Sequence, residues 1–404
     1  MDEPSVQPSA GRSSIVEEGQ VRLLMPAGRP DAERRDKGPG KVEGVFYNPA
    51  MRLNRDLSVL VTEAWAERHA ARRTDGRPFR VYDGLAATGA RAVRLAKEVR
   101  APVEVVANDR DPDAVALIRE NARTNDVEGR VVAVQGDFAF GLAGGRADLV
   151  DVDPFGSPAP FLDTAIRLVR DRGLLALTAT DMTALCGVFP EPCRRRYDAE
   201  PWHGPGMHEC AVRILIGAAV RAAARHDVAL TPVLSHATDH YVRTYLAVRN
   251  GAKRADAAVA RLGRAVEEAD GTRHVQDRDA LVPADVVRAA GPLWGGALHD
   301  KALLSDLVAR LGDHAALHHK PLSALLSLAM EEAGAPPLHY EVGEWGRRLG
   351  SNPPSREGLF AALRAHGHTA TRTQFGRDAF KTDATGPQLT EAYRAAAQDA
   401  QKER

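Results

Sequence analysis

Between Phe79 and Thr178 the chain alternates short apolar runs with helix-like segments, and the first four runs each stop on an acid. Phe79–Asp83 reads as a strand, Gly84–Gly89 as a turn and Ala90–Val99 as a helix. Val103–Ala107 is a second strand, ending at Asn108-Asp109. Asp111 and Pro112 then stand as a helix cap and a proline at the first helical position, opening a helix to about Asn125. Val131–Gln135 runs to Asp137, and Ala147–Val150 runs into Asp151-Val152-Asp153. Pro160–Val169 reads as a helix and Leu174–Thr178 as a fifth strand. Strands and helices at this pitch dictate a mostly parallel, doubly wound sheet. A helix at about Glu209–Arg225 follows, and then two apolar runs, Val228–Leu234 and Tyr241–Val248, close together as an antiparallel pair suits.

The flanks are less regular. Residues 1–14 are polar with Pro and Ser and read as a disordered tail. Val16–Met25 reads as a short strand or hairpin, and residues 28–44 as a charged loop with Gly and Pro. Past Asn250 the composition turns to Ala/Arg/Asp/Glu-rich segments of helical character, which places a domain boundary there and gives domains over 15–252 and 253–404. In the second, Glu344–Leu349 and Arg356–Ala365 flank Pro353-Pro354 as two short helices, and Thr369–Phe375 with Ala379–Asp383 suit a hairpin. Helix, turn, helix and hairpin make a winged-helix-like α+β unit. A chain of 404 residues, 44% hydrophobic, can bury at least one large core, and its length favours two domains. Its 54 basic residues balance 54 acidic ones, so a nucleic-acid partner must be met by a local patch. Three cysteines, Cys186, Cys193 and Cys210, make no disulfide framework and fit a reducing, cytoplasmic interior. No apolar run reaches membrane-spanning length, and the N-terminus lacks a signal peptide's apolar core.

The chemistry concentrates at Asp153-Pro154-Phe155-Gly156-Ser157-Pro158. A strand ending this way sets a carboxylate, a proline-fixed carbonyl and a flat ring at one point. Those groups hold a planar amino-bearing base and use its NH2 as a nucleophile, so the motif points to alkylation of a nucleobase amino group. In an open α/β sheet, ligands sit beyond the carboxyl ends of the strands. Asp83, Asp109, Asp137 and Asp153 all fall there. Asp109 suits a ribose diol, because a carboxylate accepts two hydroxyl hydrogen bonds; Asp137, with Phe138 beside it, suits an adenine amino group. Taken singly, each acid is as readily a helix cap or a solvated loop end; four in register favour a pocket. The turn lacks the Gly-x-Gly-x-x-Gly fingerprint, which argues against NAD. Arg91 and Arg94 form either a solvated helix face or a guanidinium pair for a cofactor carboxylate.

These motifs together resemble the tRNA guanine-26 N2-dimethyltransferase family. The residues that carry the resemblance are Val45-Phe46-Tyr47-Asn48-Pro49 with Asn54-Arg55-Asp56, Asp83 to Arg91, Asn108-Asp109 and the Asp153 motif. Arg213-Ile214-Leu215, Asp239-His240-Tyr241, Gly291-Pro292-Leu293-Trp294, Asn352 to Arg356 and Lys381 to Ala384 extend it over nearly the whole chain. The resemblance implies a seven-stranded, Rossmann-like, S-adenosylmethionine-dependent methyltransferase sheet with a smaller C-terminal tRNA-binding domain. It implies cofactor contacts from Arg55, Arg91, Asp109, Asp137 and Phe138, beside the strand-end Asp83. It implies a catalytic Asp153, with Phe46 and Phe155 flanking the guanine; for the two rings alone, core packing is the simpler reading. Many relatives carry two cysteine pairs before the Gly-Pro-Leu-Trp motif, but residues 251–290 here hold none, so no zinc is expected. His314, His318 and His319 read as a solvated helix-surface cluster and do not replace that site. Gln374 stands where the family usually has histidine.

On this reading the Asp153 carboxylate and a nearby backbone carbonyl accept the two N–H bonds of guanine N2, and Asp153 takes the proton after transfer. The partner is tRNA, with no membrane and no obligatory protein partner. From Tyr340 to Ala384 seven Lys/Arg face five Asp/Glu. Arg347, Arg348, Arg356, Arg364, Arg372, Arg377 and Lys381, with the Arg194-Arg195-Arg196 run, are the candidate phosphate contacts. Two other functions compete: amino-group methylation of DNA or of a protein amide, and RNA binding without catalysis on a methyltransferase fold.

Overall fold

The computed structural model describes residues 14–25, 45–139, 145–238 and 240–402, with side chains placed to 398. The expected tail over 1–14 (save Ser14), the expected loop over 28–44 and Asp239 lie outside the described residues. The chain packs as two compact units, Met1–Gly144 and Gly145–Arg404.

The first unit opens with strands β1 (Ser14–Glu18) and β2 (Val21–Met25), an antiparallel hairpin. After a 3-10 turn at Pro49–Met51 come α1 (Arg52–Ala70), β3 (Phe79–Asp83), α2 (Ala90–Glu98), β4 (Val103–Asp109), α3 (Pro112–Thr124) and β5 (Val131–Gln135). β3 pairs with β4, and β4 with β5, in parallel. Asp111 caps α3 through the amide of Asp113 at 2.9 Å, with Pro112 at the first helical position. The hairpin is fastened to α3 by two amides. Asn121 Oδ1 accepts from the Leu24 amide at 2.6 Å and Asn125 Oδ1 from the Arg22 amide at 2.8 Å.

The second unit begins with β6 (Ala147–Val152), α4 (Leu162–Leu168), β7 (Val169–Ala179), α5 (Met182–Leu185), α6 (Pro190–Tyr197), α7 (Met207–Ala224), β8 (Val228–Thr238) and β9 (Tyr241–Asn250). β6 and β7 are parallel, and β9 runs antiparallel to both β7 and β8. Seven strands make one sheet in the order β5-β4-β3-β6-β7-β9-β8. The last pair closes the sheet as the sequence led one to expect.

Just beyond Asn250 the expectation of helical segments holds for α8 (Ala252–Val259) but fails for the stretch that follows it. The chain then forms a three-stranded antiparallel sheet from β10 (Leu262–Glu268), β11 (Arg273–Asp277) and β12 (Val286–Trp294). Arg, Glu, Ala and Gly give these strands little intrinsic β preference; pairing and burial against α7 decide instead. Gly217 of α7 makes room for that contact. A Cβ there would stand 3.0 Å from Leu293 Cα and 3.2 Å from the Pro292 carbonyl oxygen.

The unit ends with α9 (Lys301–Asp313), α10 (Lys320–Glu332), β13 (Tyr340–Glu341), α11 (Val342–Leu349), α12 (Arg356–Ala365), β14 (Thr371–Arg372), β15 (Ala379–Lys381) and α13 (Gly386–Lys402). The two short helices and the hairpin fall where the sequence puts them, and β13 adds a third strand in the order β13-β15-β14. Tyr340, Trp345, Phe360, Phe380 and Tyr393 fill the core between them. This module is tied to α7 by buried charge. Glu209 Oε1 accepts from Arg213 Nη2 and Lys381 Nζ, each at 2.8 Å, and its Oε2 meets His339 Nδ1 at 3.1 Å. Burial opposes the Glu209 charge, but Lys381, Arg213 and His339 outweigh it and hold the carboxyl well below its usual range.

Candidate active site

In the first unit the turn after β3 is built around Asn108 and Asp109. The Asn108 side-chain amide donates to the Gly84 and Gly136 carbonyls, each at 3.1 Å, stitching the end of β3 to the end of β5. The Ala86 amide donates to the Asn108 carbonyl at 2.9 Å. Asp109 accepts from the Ala87 amide on Oδ2 at 2.8 Å and from the Asp111 amide on Oδ1 at 3.0 Å. Two backbone donors therefore fix the Asp109 carboxylate, and a carboxylate has lone pairs beyond the two they occupy. Asp83 is buried at the end of β3, and Asp137 is exposed past β5, where its Oδ1 accepts from the Ala139 amide at 2.9 Å. Phe138 is buried edge-on to Tyr82, with ring centroids 5.5 Å apart. A Cβ added at Gly84 would lie 2.1 Å from Phe138 Cε2, so only glycine lets the turn lie against this ring. The structure thus gathers Asp83, Asp109, Asp137 and Phe138 around one glycine turn.

The arginines are not a solvated face. Arg91 and Arg94 are both buried. Arg94 is committed to three carboxylates: Glu98 at 2.8 Å, Asp56 at 2.6 Å and Glu18 at 2.9 Å. Arg91 Nη1 donates to Asn54 Oδ1 at 3.0 Å and to Ser58 Oγ at 2.5 Å on α1. Arg55 makes a two-pronged contact with Glu18, at 2.6 and 2.5 Å, and donates to the Asn48 carbonyl at 3.1 Å. The Tyr47 hydroxyl also donates to Glu18, at 2.6 Å. Burial raises the Glu18 carboxyl pKa, but Arg55, Tyr47 and Arg94 reverse the balance and lower it to about 2. Phe46 is half-buried in the extended segment just before Tyr47.

In the second unit the loop after β6 carries Asp153, partly exposed, then Pro154, buried, and Phe155, 70% exposed. Phe155 is therefore not a core ring. The loop is pinned from β7 and α6. Gly156 and Thr180 exchange two bonds: the Gly156 amide to Thr180 Oγ1 at 2.8 Å, and the Thr180 amide to the Gly156 carbonyl at 2.9 Å. Ser157 Oγ donates to the Tyr197 hydroxyl at 2.8 Å, and Tyr197 donates to Asp181 at 2.6 Å. Behind the loop, buried Asp151 takes both arms of Arg243, at 2.9 and 2.6 Å. The sequence reading gave no role to Asn108, Thr180, Tyr197, Asp151 or Arg243. The one available signal was Asp151 itself, a second acid two residues before Asp153 on a strand that is otherwise apolar after Asp148. A buried carboxylate demands a partner, but that partner lies 92 residues away.

The structure also sorts the candidate phosphate contacts. Lys381 is buried on Glu209 and cannot be a surface contact. Arg372 is paired with Glu331, and Arg194 with Glu200 at 2.7 Å. Arg196 is held by Asp181 at 2.9 Å, Arg356 by the Arg377 carbonyl at 2.9 Å, Arg364 by the Ala370 carbonyl at 2.9 Å and Arg348 by the Ala269 carbonyl. Arg347 lines a depression of about 350 Å³ with Gly343, Gly350, Ser351 and Asn352. The histidines are not one solvated cluster either: His314 is buried, and His319 caps α10 through the Leu322 amide at 3.4 Å. Gln374 donates to Glu332 at 2.7 Å and to the Ser235 carbonyl at 2.9 Å.

The family model for N2,N2-dimethylguanosine tRNA methyltransferases matches residues 29–394. The chain belongs to this family. Among its relatives, the tRNA (guanine(26)-N(2))-dimethyltransferase of Thermococcus kodakarensis is 39% identical over 91% of this chain and 96% of its own length. That of Natronomonas pharaonis is 38% identical over 91% of this chain and 97% of its own. Among solved structures, Trm1 from Pyrococcus horikoshii in complex with S-adenosyl-L-methionine superposes with a TM-score of 0.82 at 32% identity, covering 94% of this chain and 99% of that one. Membership agrees with the seven-stranded sheet. Among the described residues, no helix of this family member is long and apolar enough to cross a membrane.

Proposed function

We propose that this protein methylates the exocyclic N2 amine of a guanosine in tRNA, position 26 being the expected one, to N2-methyl- and N2,N2-dimethylguanosine. S-adenosyl-L-methionine is the methyl donor. The observation that carries the reading is kinship along nearly the full chain to tRNA (guanine(26)-N(2))-dimethyltransferases. Residues 253–404 are proposed as the tRNA-binding domain and 15–252 as the methyltransferase domain, acting in the cytoplasm.

The donor's chemistry is an electrophilic methyl on a sulfonium. The residues of the first unit fit such a group. Asp109, oriented by two backbone amides, is set to receive a ribose diol, and the turn at Gly84 lies against the flat Phe138 ring. Asp83, Asp137, Arg91 and Arg55 complete the proposed cofactor contacts. Arg55 and Arg91 serve there while holding Glu18 and α1, so they shape the pocket wall as much as they bind. Asp153 accepts one N–H of guanine N2, which is otherwise a poor nucleophile because its lone pair is delocalised into the ring. The same carboxylate opposes the positive charge that develops on nitrogen and then takes the proton. Phe155, exposed on its pinned loop, and Phe46 stack on an extruded base, as proteins commonly read unpaired RNA bases.

Incubating purified protein with unmodified tRNA and S-adenosylmethionine, and digesting to nucleosides for mass spectrometry, tests the reading. N2-methylated guanosine in tRNA and none in parallel DNA and protein arms is the expected result. Asp153→Asn should fold, bind cofactor and lose turnover by at least about a hundredfold, the usual contribution of a positioned general base. Near-normal turnover by that variant removes Asp153 from the chemistry.

A further inference from the structure

Among the described residues only two Phe, Tyr or Trp side chains are exposed, Phe155 at 70% and Phe189 at 60%. Both belong to the second unit, on segments that hydrogen bonds join. Residues 180–197 leave β7, form α5 and α6, and are tied to the Phe155 loop at both ends. Thr180 exchanges its two bonds with Gly156, and the Tyr197 hydroxyl accepts from Ser157 at 2.8 Å. Asp181 joins the two ends to each other, accepting from Tyr197 at 2.6 Å and from Arg196 at 2.9 Å. Val188-Phe189 is the apex of this closed segment, and its backbone is fixed. The Phe189 amide donates to the Thr183 carbonyl at 2.9 Å, the Gly187 amide to the Ala184 carbonyl at 3.1 Å and the Cys186 amide to the Met182 carbonyl at 2.8 Å.

The fold gains little from the side chains at the apex. Val188 is half exposed. Phe189 occupies the N-cap position of α6 with extended backbone and makes no capping bond; Ser, Thr, Asp or Asn usually stands there. Exposed apolar side chains are ordinarily scattered singly, whereas these two are adjacent on rigid backbone and tied to the loop of a third, Phe155. The charge beside them is positive. On α6 Arg194 meets Glu191 and Glu200, and Arg196 meets Asp181. Arg195, exposed between them, meets no acid among the described residues. It lies six residues past Phe189, about 9 Å along the helix. A ring with a cation one step away is the combination that holds an unstacked RNA base and its phosphate. Extruding a target base uncovers the face of the base beside it.

We propose that Phe189, with Val188 next to it, stacks on a nucleotide adjoining the target guanosine, and that Arg195 contacts a backbone phosphate of the same strand. The inference rests on the reading that the Phe155 loop receives the tRNA. It gives Phe189 the task of holding the strand, not of transferring the methyl group.

The test is the Kd of the full chain for unmodified tRNA across salt concentration, with no methyl donor present. Phe189→Ala should raise Kd at least about fivefold, the low end for one base stack. It should leave the salt slope unchanged, because stacking releases no counterion. Arg195→Ala should instead lower the slope by about 0.7–0.9. Phe189→Trp keeps a flat ring and should bring Kd to within about threefold of the parent. Phe189→Ser offers α6 a capping hydroxyl, so it should weaken binding as alanine does while Tm holds or rises. Tm of the alanine variant should stay within about 2 °C of the parent, and its Kd for S-adenosylmethionine should not change. The proposal is overturned by a parent-like tRNA Kd in F189A, by F189W binding no better than F189A, or by an unmoved slope in R195A. A fall of Tm in both F189A and F189S would make the ring structural and overturn it too. So would a parent dimer that dissociates in F189A, which would give the patch to a second copy of the chain. Absence of N2-methylated guanosine from tRNA treated with the parent would sink the underlying reading. Methylation by the parent, with parent-like tRNA binding in F189A, would sink this inference alone.

Discussion

Gly84→Ala should weaken cofactor binding and fold stability together. The added methyl would stand 2.1 Å from Phe138 Cε2, 2.5 Å from Cδ2 and 3.1 Å from Tyr82 Cε1. Carbon atoms settle at about 3.5–4.0 Å, so the ring must retreat by roughly 1.5 Å. It has little room to do so. Phe138 is 3% exposed, and its carbonyl accepts the Tyr82 hydroxyl at 2.9 Å. Overpacking of this kind costs about 1–3 kcal/mol. Losing the aromatic contact proposed between Phe138 and the adenine ring would be worth about 0.5–1.5 kcal/mol, or about two- to twelvefold in Kd. Calorimetric titration with S-adenosylmethionine and urea unfolding measure the two effects. Trimming the obstacle in Gly84→Ala/Phe138→Leu should recover most of the stability but not the affinity, with a coupling of about 1 kcal/mol or more between the sites. Parent-like Kd and stability in Gly84→Ala would show that the ring does not back the cofactor turn.

Phe155→Ala should leave stability within about 0.5 kcal/mol, since the ring is 70% exposed, yet lower kcat/KM for tRNA; an unfolding curve and a methylation assay separate the two. The Glu18 carboxyl, lowered from 4.5 to about 2 in the folded state, stabilises the first unit at pH above about 4.5. That contribution, about 3 kcal/mol at most, is lost as pH falls toward 2. Glu18→Gln should therefore be less stable than the parent at pH 7 and converge on it in acid, which urea titrations across pH will read. Charge reversal at Arg347 and Arg377 should weaken tRNA binding and lower the salt slope by about one for each phosphate no longer neutralised, while Lys381→Ala should act through stability instead, because Lys381 is buried on Glu209.

Local chemistry and periodicity made much of this protein legible. Asp111-Pro112 announced a helix start, and the strand-end acids located the carboxyl edge of the sheet, because capping and side-chain alternation are properties of neighbouring residues. Charge balance, however, said nothing of which cations face solvent. Seven Lys/Arg between Tyr340 and Ala384 look alike in sequence, yet Lys381 ends on a buried glutamate and Arg372 on Glu331. The strands β10 to β12 escaped notice because their stability comes from pairing and from Gly217 on α7, not from the propensity of their residues. Arg94 and Arg55 carry the marks of surface residues and are buried only because Glu18, Asp56 and Glu98 converge on them from three different elements. The sequence alone determined the fold class, the family and the place of the acid proposed as reactive. Which charges are neutralised, which remain available and what stands behind Asp153 were decided by tertiary structure, since a buried charge is tolerated only where distant segments bring its counter-charge within hydrogen-bonding distance.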